Sequence, residues 1–492
     1  MNQQEEGFMF LGIDIGTSAV KIVLISEDGK MIASSQEALT LQTPKQLWSE
    51  QDPEQWWQAT LKAMNDLRHQ SICEWENVKA IGLSGQMHGA VLLDENNEVI
   101  RPAILWNDGR SVQQCERLKS QMPDIAFLAG AVAMPGFTAP KLMWLKEHEV
   151  ENFNKIRKIL LPKDYIRFKL CGNFATDMCD AAGTFWLDEG MRDWSDALCT
   201  LSEIDESVLP ALYEGHEITG YVHQRATNLL GLSKNVAVVA GGGDAGAGAV
   251  GIGAVTKGDC FMSLGTSGQL FVTTDSYKQN AKNALHSYAH CVPKHWFIMA
   301  AMLNGASPMQ WFASNVNMDV KTILEQAEAV SKEATPLFIP YLTGERTPHN
   351  DMDIRAGFYG LSNSTKTTHM MAAIVEAIAY SFCDARDAMQ DVLSMPNEII
   401  AIGGGAQSDF VLQTIADALS VTILRCSDTQ SGPAYGAARL AAMGYLNLKL
   451  EQIAVKPKTE KAFTPNVRMQ DYYQSRLMNY RKMYNCLKEI SL

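Results

Sequence analysis

Phe10-Leu11-Gly12-Ile13-Asp14-Ile15-Gly16-Thr17-Ser18-Ala19-Val20-Lys21-Ile22-Val23-Leu24 reads as a hydrophobic strand, a Gly-Thr-Ser turn and a second hydrophobic strand. The pattern returns about half a chain later as Cys260-Phe261-Met262-Ser263-Leu264-Gly265-Thr266-Ser267-Gly268-Gln269-Leu270-Phe271-Val272. Glycine lets a backbone turn tightly and approach a ligand closely. The N–H groups of such a turn, with its Thr and Ser hydroxyls, suit phosphate oxygens. One such hairpin is an ordinary turn. Two, one in each half, predict a nucleotide clamped between two related domains through Gly16, Thr17, Ser18, Gly265, Thr266 and Ser267.

Outward from the first hairpin, Asp28-Gly29 is a turn into a third antiparallel strand, so residues 8–40 read as a three-stranded unit. Asp52-Pro53-Glu54-Gln55 then opens a helix, with Asp52 as cap, Pro53 at the first position and Gln55 completing a capping box. Trp57, Leu61 and Met64 follow at helical spacing and should face the core. Val78–Ser84 is a strand ending in Gly85-Gln86-Met87-His88-Gly89, and Val91–Asp94 should resume the sheet. Residues 100–230 mix loops and helices. Val236–Ala240 is a buried strand running into Gly241-Gly242-Gly243-Asp244, and small residues continue to Gly253. In the second half, Ile399–Ile402 is a strand followed by Gly403-Gly404-Gly405-Ala406 and a helix across Asp409–Leu419. Gly432 to Ala438 starts a small-residue helix, and Met469 to Leu487 is an amphipathic terminal helix. The expected division is 8–253, 254–460 and a C-terminal helix in 461–492.

At 492 residues the chain exceeds one ordinary core. Its 46% apolar and 20% charged residues fit a globular protein, and its longest apolar runs are strand-sized. Met1 to Glu6 is acidic and lacks an apolar signal core. The ten cysteines are scattered without a Cys-x-x-Cys pair, as expected of reduced thiols in the cytoplasm. A formal charge of −13 disfavours nucleic acid or an anionic membrane as partner. It leaves room for a phosphate ligand held by backbone donors and Mg²⁺.

Several residues can carry chemistry. Asp14 ends the first strand just before a phosphate turn, where it either approaches Mg²⁺ or caps its own turn. Asp244, at a strand end after three glycines, is placed either to accept the proton of an alcohol attacking a γ-phosphate or to serve as another turn residue. Gly403, Gly404, Gly405 and Ala406, between strand and helix, could lie against a nucleotide. They lack the Lys-Ser/Thr of a P-loop. His88 could donate to a sugar hydroxyl or be structural. Trp106-Asn107-Asp108-Gly109-Arg110 offers planar polar groups and an aromatic wall, as carbohydrate sites use. Gly344-Glu345-Arg346-Thr347-Pro348-His349-Asn350 is a dense polar loop, an ion-pair knot as readily as a site.

Taken together these segments resemble the FGGY carbohydrate kinases over nearly the whole chain. Asp14–Ser18 and Ser263–Gly268 resemble the two phosphate motifs, Gly403–Ala406 the adenosine motif and Gly432–Ala438 the helix after it. These are shared with actin- and Hsp70-like ATPases. Ser84–Gly89, Ile104–Arg110, Gly136–Lys141, Leu161–Tyr165 and Asp180–Thr184 resemble the branch of the family that acts on D-xylulose. The resemblance implies two ribonuclease-H-like α/β domains with a cleft between them, and transfer of the ATP γ-phosphate to O5 of D-xylulose. It implies Asp244 as general base, Asp14 in the Mg²⁺–phosphate region, and Met87 and His88 at the sugar, with Trp106, Asp108 and Arg110 in the same sugar-binding set. Dimers occur in the family. Where the family usually has Asn after the catalytic Asp, this chain has Ala245. The rival expectations are a kinase for another ketopentose or polyol, and a non-catalytic ATP-binding switch of the Hsp70/actin type.

Overall fold

The computed structural model describes residues 7–279, 283–427 and 432–490; the acidic segment Met1 to Glu6 lies outside the described residues. Met9–Ile15, Ala19–Ser26 and Met31–Ala38 form the expected antiparallel unit. Val78–Gly85 then adds parallel to Met9–Ile15, and Ala237–Val239 adds parallel to Val78–Gly85. Ile218–Tyr221 closes that edge in the antiparallel sense. The second half repeats the unit. Cys260–Leu264, Gly268–Thr274 and Trp296–Met302 are antiparallel, Glu398–Ile402 and Thr422–Cys426 add in parallel, and Thr459–Phe463 closes antiparallel. His286–Ala289 lies outside Trp296–Met302 as an extra edge strand. Two seven-stranded sheets with the same inner order make a two-domain, ribonuclease-H-like α/β fold.

The local readings hold where the determinant is local. Asp52 caps the helix Pro53–Gln70 by accepting from the Glu54 N–H at 3.0 Å. Gln55 makes no capping box; its side chain donates to the Thr40 hydroxyl at 2.5 Å instead. Trp57 and Met64 are buried as expected, Leu61 is partly buried, and Trp56 is buried fully. Asp409–Leu419 is a helix with the expected bounds.

Two elements go elsewhere. Val91–Leu93 does not return to the first sheet but pairs with Lys158–Leu160 in a ribbon of its own. The cause is His88, whose φ of 71° swings the chain away just after the sheet. The small-residue helix Gly432–Leu446 lies against the first sheet, not the second. A Cβ on Gly12 would sit 1.8 Å from the Ala434 carbonyl oxygen, and one on Gly82 at 1.8 Å from that of Ala437. The bare strand surface is what lets the helix seat so closely. The equally small-residue helix Asp244–Gly251 packs on Gly432–Leu446, so the two helices form the seam between the sheets. One hydrophobic core accordingly contains residues of both sheets, Phe10 and Ala80 with Phe261, Phe271 and Ile400.

Candidate active site

The seam brings the two acidic strand ends together. Asp14 is partly buried, with Oδ1 buried and without a hydrogen bond among the described residues. Burial, and then the charge of Asp244, push its carboxyl up to about 7, while Ser84 and Lys21 pull the other way. Asp244 opens the helix Asp244–Gly251. It is exposed to the cleft yet walled in by protein, and that enclosure pushes its carboxyl up to about 6, against a 2.7 Å bond from the Ala245 N–H. Gly241 makes the placement possible. Its φ is 80°, and a Cβ there would lie 1.9 Å from the Leu83 carbonyl oxygen. Asp14 thus presents an orphaned buried oxygen beside a second carboxylate, a donor set that fits a hard divalent cation. Among the described residues no group of three or more His, Cys, Asp and Glu forms a closed metal cage. An ion held here would share its coordination with other oxygens.

The amides of Thr17, Ser18, Thr266 and Ser267 donate to nothing among the described residues. The two hydroxyl pairs differ, however. Thr266 and Ser267 are exposed and make no side-chain hydrogen bond among the described residues, and their turn rests on Gly305 and Ala306 through bonds of 3.1 and 2.7 Å. The Thr17 hydroxyl is already engaged. It donates to Gln86 Oε1 at 2.9 Å and accepts from Trp106 Nε1 at 3.0 Å. Gln86 in turn donates to Gln51 Oε1 at 3.0 Å. Thr17 therefore ties the first turn to the loop carrying Trp106 rather than waiting for a ligand. The motif singled out Thr17 but not this bond, because Trp106 is far away in sequence.

Met87 packs against Gly243, the residue before Asp244, and His88 follows Met87 in the chain. A Cβ on Gly243 would meet the Met87 side chain at 2.8 Å, and Met87 is buried. The His88 ring lies 4.8 Å from that of Phe137. Its Nδ1–H donates to the Gly183 carbonyl at 2.6 Å, and burial drops its pKa to about 3. The ring is neutral and Nε2 is the free lone pair, so His88 accepts from a hydroxyl rather than donating to it. Its backbone carbonyl is held by Lys141 Nζ at 2.8 Å and by the Thr138 hydroxyl at 3.1 Å. The hold of Lys141 and Gly183 on His88 is not visible in their own segments, because it is made by tertiary contact.

The Trp106–Arg110 loop divides. The Trp106 ring remains 40% exposed toward the cleft. The Asp108 carboxylate is not available to a ligand in the way expected, while Arg110 keeps a buried Nη1 without a hydrogen bond among the described residues. The Asp108 carboxylate accepts from the Ser49 N–H (2.6 Å), the Arg110 N–H (2.9 Å), Arg110 Nε (2.8 Å) and Arg110 Nη2 (2.7 Å). Its four acceptor positions are taken. Arg110 also pairs with Glu50 at 2.6 Å and stacks over Trp48 at 3.7 Å. The pair positions the loop.

A second buried knot lies under Met87 and His88. Lys163 is fully buried within 2.6 Å of Asp164, 2.9 Å of Asp177 and 3.3 Å of Asp180. Burial works against its charge, but the three carboxyls outweigh that and keep it protonated. In the second half, Gly404 faces open space, with nothing within 4 Å of a Cβ placed there. Gly403 and Gly405 back onto Leu264 beside the second turn, and Ala406 is buried behind them. A cavity of about 680 Å³ elsewhere, lined by Lys158, Phe174, Trp194 and Tyr213 among others, touches none of these residues.

Comparison with known proteins agrees with this arrangement. Residues 9–251 match the N-terminal domain, and residues 260–445 the C-terminal domain, of the FGGY family of carbohydrate kinases. The chain is 42% identical over 483 residues to the xylulose kinase of Escherichia coli (strain K12), covering 97% of this chain and 99% of that one. It superposes on a solved xyloylose kinase from Brucella ovis with a TM-score of 0.95 at 37% identity, covering 98% and 99% of the two chains. A gluconate kinase from Lactobacillus acidophilus gives a TM-score of 0.91 at 27% identity, covering 97% and 98%.

Proposed function

The chain belongs to the FGGY family of carbohydrate kinases, and from that premise we propose that it transfers the γ-phosphoryl group of ATP to O5 of D-xylulose, with Asp244 as general base. The observation that carries the reading is Asp244 itself. One carboxylate oxygen is held by the Ala245 N–H, and the residue is exposed. A carboxyl near 6 is mostly ionised at neutral pH yet close enough to it to take a proton as the alcohol attacks. The full-length similarity to the Escherichia coli relative supports D-xylulose as acceptor. The gluconate kinase shares the fold, so the fold by itself does not select the sugar.

In this reading Met87 forms the floor under the sugar, His88 Nε2 accepts from a sugar hydroxyl, and the Trp106 ring walls the acceptor. The free amides of the two Gly-Thr-Ser turns, with the Thr266 and Ser267 hydroxyls, hold phosphate oxygens. Gly403 to Ala406 offer bare backbone to the nucleoside. Asp14 would hold Mg²⁺, whose chemistry here is to neutralise charge on the phosphates. The two domains exclude water that would otherwise compete with the sugar hydroxyl. All ten cysteines are free thiols, and no helix among the described residues is long and apolar enough to cross a membrane; both suit a cytoplasmic enzyme. The test is ADP release with and without sugar across D-xylulose, other ketopentoses and polyols. Release dependent on D-xylulose, with the highest kcat/KM of the panel, is the expected result. Release independent of any sugar returns the molecule to an ATP-binding switch.

A further inference from the structure

The two Gly-Thr-Ser turns share a sequence, yet a chain of side-chain hydrogen bonds leads inward from the first, and both of its ends are indoles. Trp56 is fully buried, and its Nε1–H donates to Gln51 Oε1 at 3.0 Å. Gln86 Nε2 donates to the same oxygen at 3.0 Å. Gln51 Nε2 donates to the carbonyls of Thr17 and Thr40 at 2.8 and 3.3 Å. Gln86 Oε1 accepts from the Thr17 hydroxyl at 2.9 Å, and that hydroxyl accepts from Trp106 Nε1 at 3.0 Å.

An indole N–H donates and cannot accept. With such a donor at each end, and carbonyls facing Gln51 Nε2, every bond of the chain has one direction. The single proton of the Thr17 hydroxyl is committed to Gln86. Phosphate oxygens are acceptors, so this hydroxyl has no proton to give them. Gln51 and Gln86 are buried, and withdrawing the bond would leave an amide oxygen unsatisfied there. The exposed Thr266 hydroxyl carries no such commitment among the described residues.

What Thr17 holds is the indole of Trp106. The backbone of that loop is tied to the His88 turn. Lys141 Nζ donates to the carbonyls of both His88 and Ile104, at 2.8 and 3.1 Å, and the Ala90 N–H donates to that of Ile104 at 3.2 Å. A Cβ on Gly136 would sit 2.0 Å from the Trp106 carbonyl oxygen, and the next residue, Phe137, lies against the His88 ring. Trp106 thus reaches from the His88 turn to the Gly16-Thr17-Ser18 turn, and Thr17 fixes the far edge of its ring.

We propose that the Thr17 side chain, although it stands in a phosphate turn, is a positioning group for the acceptor: its hydroxyl holds the Trp106 indole at a set place between the acceptor and the first phosphate turn, while its counterpart Thr266 serves the phosphates. This rests on the sugar-kinase reading above. It assigns different substrates to two threonines that the repeated motif makes equivalent.

The experiment sets Thr17→Val against Thr266→Val, with Thr17→Ser, Trp106→Phe and the Thr17→Val/Trp106→Phe double variant, by steady-state ADP release. Valine keeps the backbone amide and the shape and removes the hydroxyl. One neutral hydrogen bond corresponds to a factor of roughly 2–12 in affinity. Thr17→Val should raise KM for D-xylulose by about that factor and leave KM for ATP near wild type, and Thr266→Val should do the reverse. Thr17→Ser should restore the wild-type value. Trp106→Phe keeps an aromatic face without the N–H and should also raise KM for the sugar. The double variant should be no worse than the more impaired single variant, because both changes remove the same bond. A raised KM for ATP alone in Thr17→Val, equal losses for both substrates, or losses that add in the double variant would overturn the inference. Should Thr17→Val fail to fold, Trp106→Phe decides, and an unchanged KM for the sugar overturns it. A wild type that releases no ADP with any sugar overturns the kinase reading and this inference together, whereas failure of the inference alone leaves wild-type activity on its sugar intact. If wild type prefers another sugar, the same comparison is made on that sugar.

Discussion

Asp14 and Asp244 are two carboxyls crowded into one cleft, raised to about 7 and about 6. Asp244→Asn removes the proton acceptor and keeps the shape. The expected outcome is a loss of ~10²–10⁴ in kcat with ATP binding nearly unchanged, read by ADP release and calorimetric titration. Wild-type activity should fall with decreasing pH through about 6, as the base becomes protonated; a flat profile down to pH 5 would count against Asp244. Stability should run the other way. Above the unfolded value of 3.8 and below about 7, folded Asp14 keeps a proton that the unfolded chain has lost, so its contribution weakens as pH rises through that window. Asp14→Asn should stabilise the fold on the order of 1–3 kcal/mol at pH 8, allowing for solvent in the cleft, and give no gain at pH 4. Mg²⁺ should raise the melting temperature of wild type and not of this variant. Equal Mg²⁺ responses would show Asp14 to be only a turn residue. Both acids were legible from their strand-end positions. The sense of the His88 bond was not, because it depends on the Gly183 carbonyl 95 residues away.

At the scale of the element, Gly404 separates nucleotide contact from folding. A side chain there meets no protein atom within 4 Å, so Gly404→Val should fold normally. If the loop faces nucleotide, the variant should lose tenfold or more in ATP affinity and keep its sugar affinity, since the added branch occupies the ligand's space. Titration of each ligand decides it, and equal or absent losses would make the loop a plain turn. The hairpins, the Asp52 cap and the Asp409–Leu419 helix could be read from the chain because strand alternation, cap chemistry and helical spacing act within a few residues. The destination of Val91–Leu93 could not, since the left-handed His88 redirects the chain and its apolar residues suit either ribbon or sheet.

At the scale of the molecule, the first sheet is completed from the other end of the chain. Gly12 and Gly82 leave a groove that Gly432–Leu446 fills, and the core beneath spans both sheets. A fragment ending at residue 253 would expose that groove and lose one face of its core. It should aggregate or form a compact state without fixed tertiary packing, detected by near-ultraviolet dichroism and hydrogen exchange. The full chain should melt in a single transition. A well-ordered fragment, or two separated transitions, would show that the halves are independent.

The sequence by itself determined the two Gly-Thr-Ser hairpins, the acids at the strand ends, the small-residue helices and hence the duplicated α/β plan, because each is written in contiguous residues whose spacing has a direct structural meaning. Only the tertiary structure decided which polar groups are spent and which are free. Asp108 has its acceptor positions filled by Ser49 and Arg110, Thr17 is bonded to Trp106 and Gln86, and the Thr266 and Ser267 hydroxyls stay free among the described residues. Hydrogen-bond capacity is finite, and its allocation depends on which distant segments burial brings together. Spacing along a chain records what a side chain can do, and packing determines what remains for it to do.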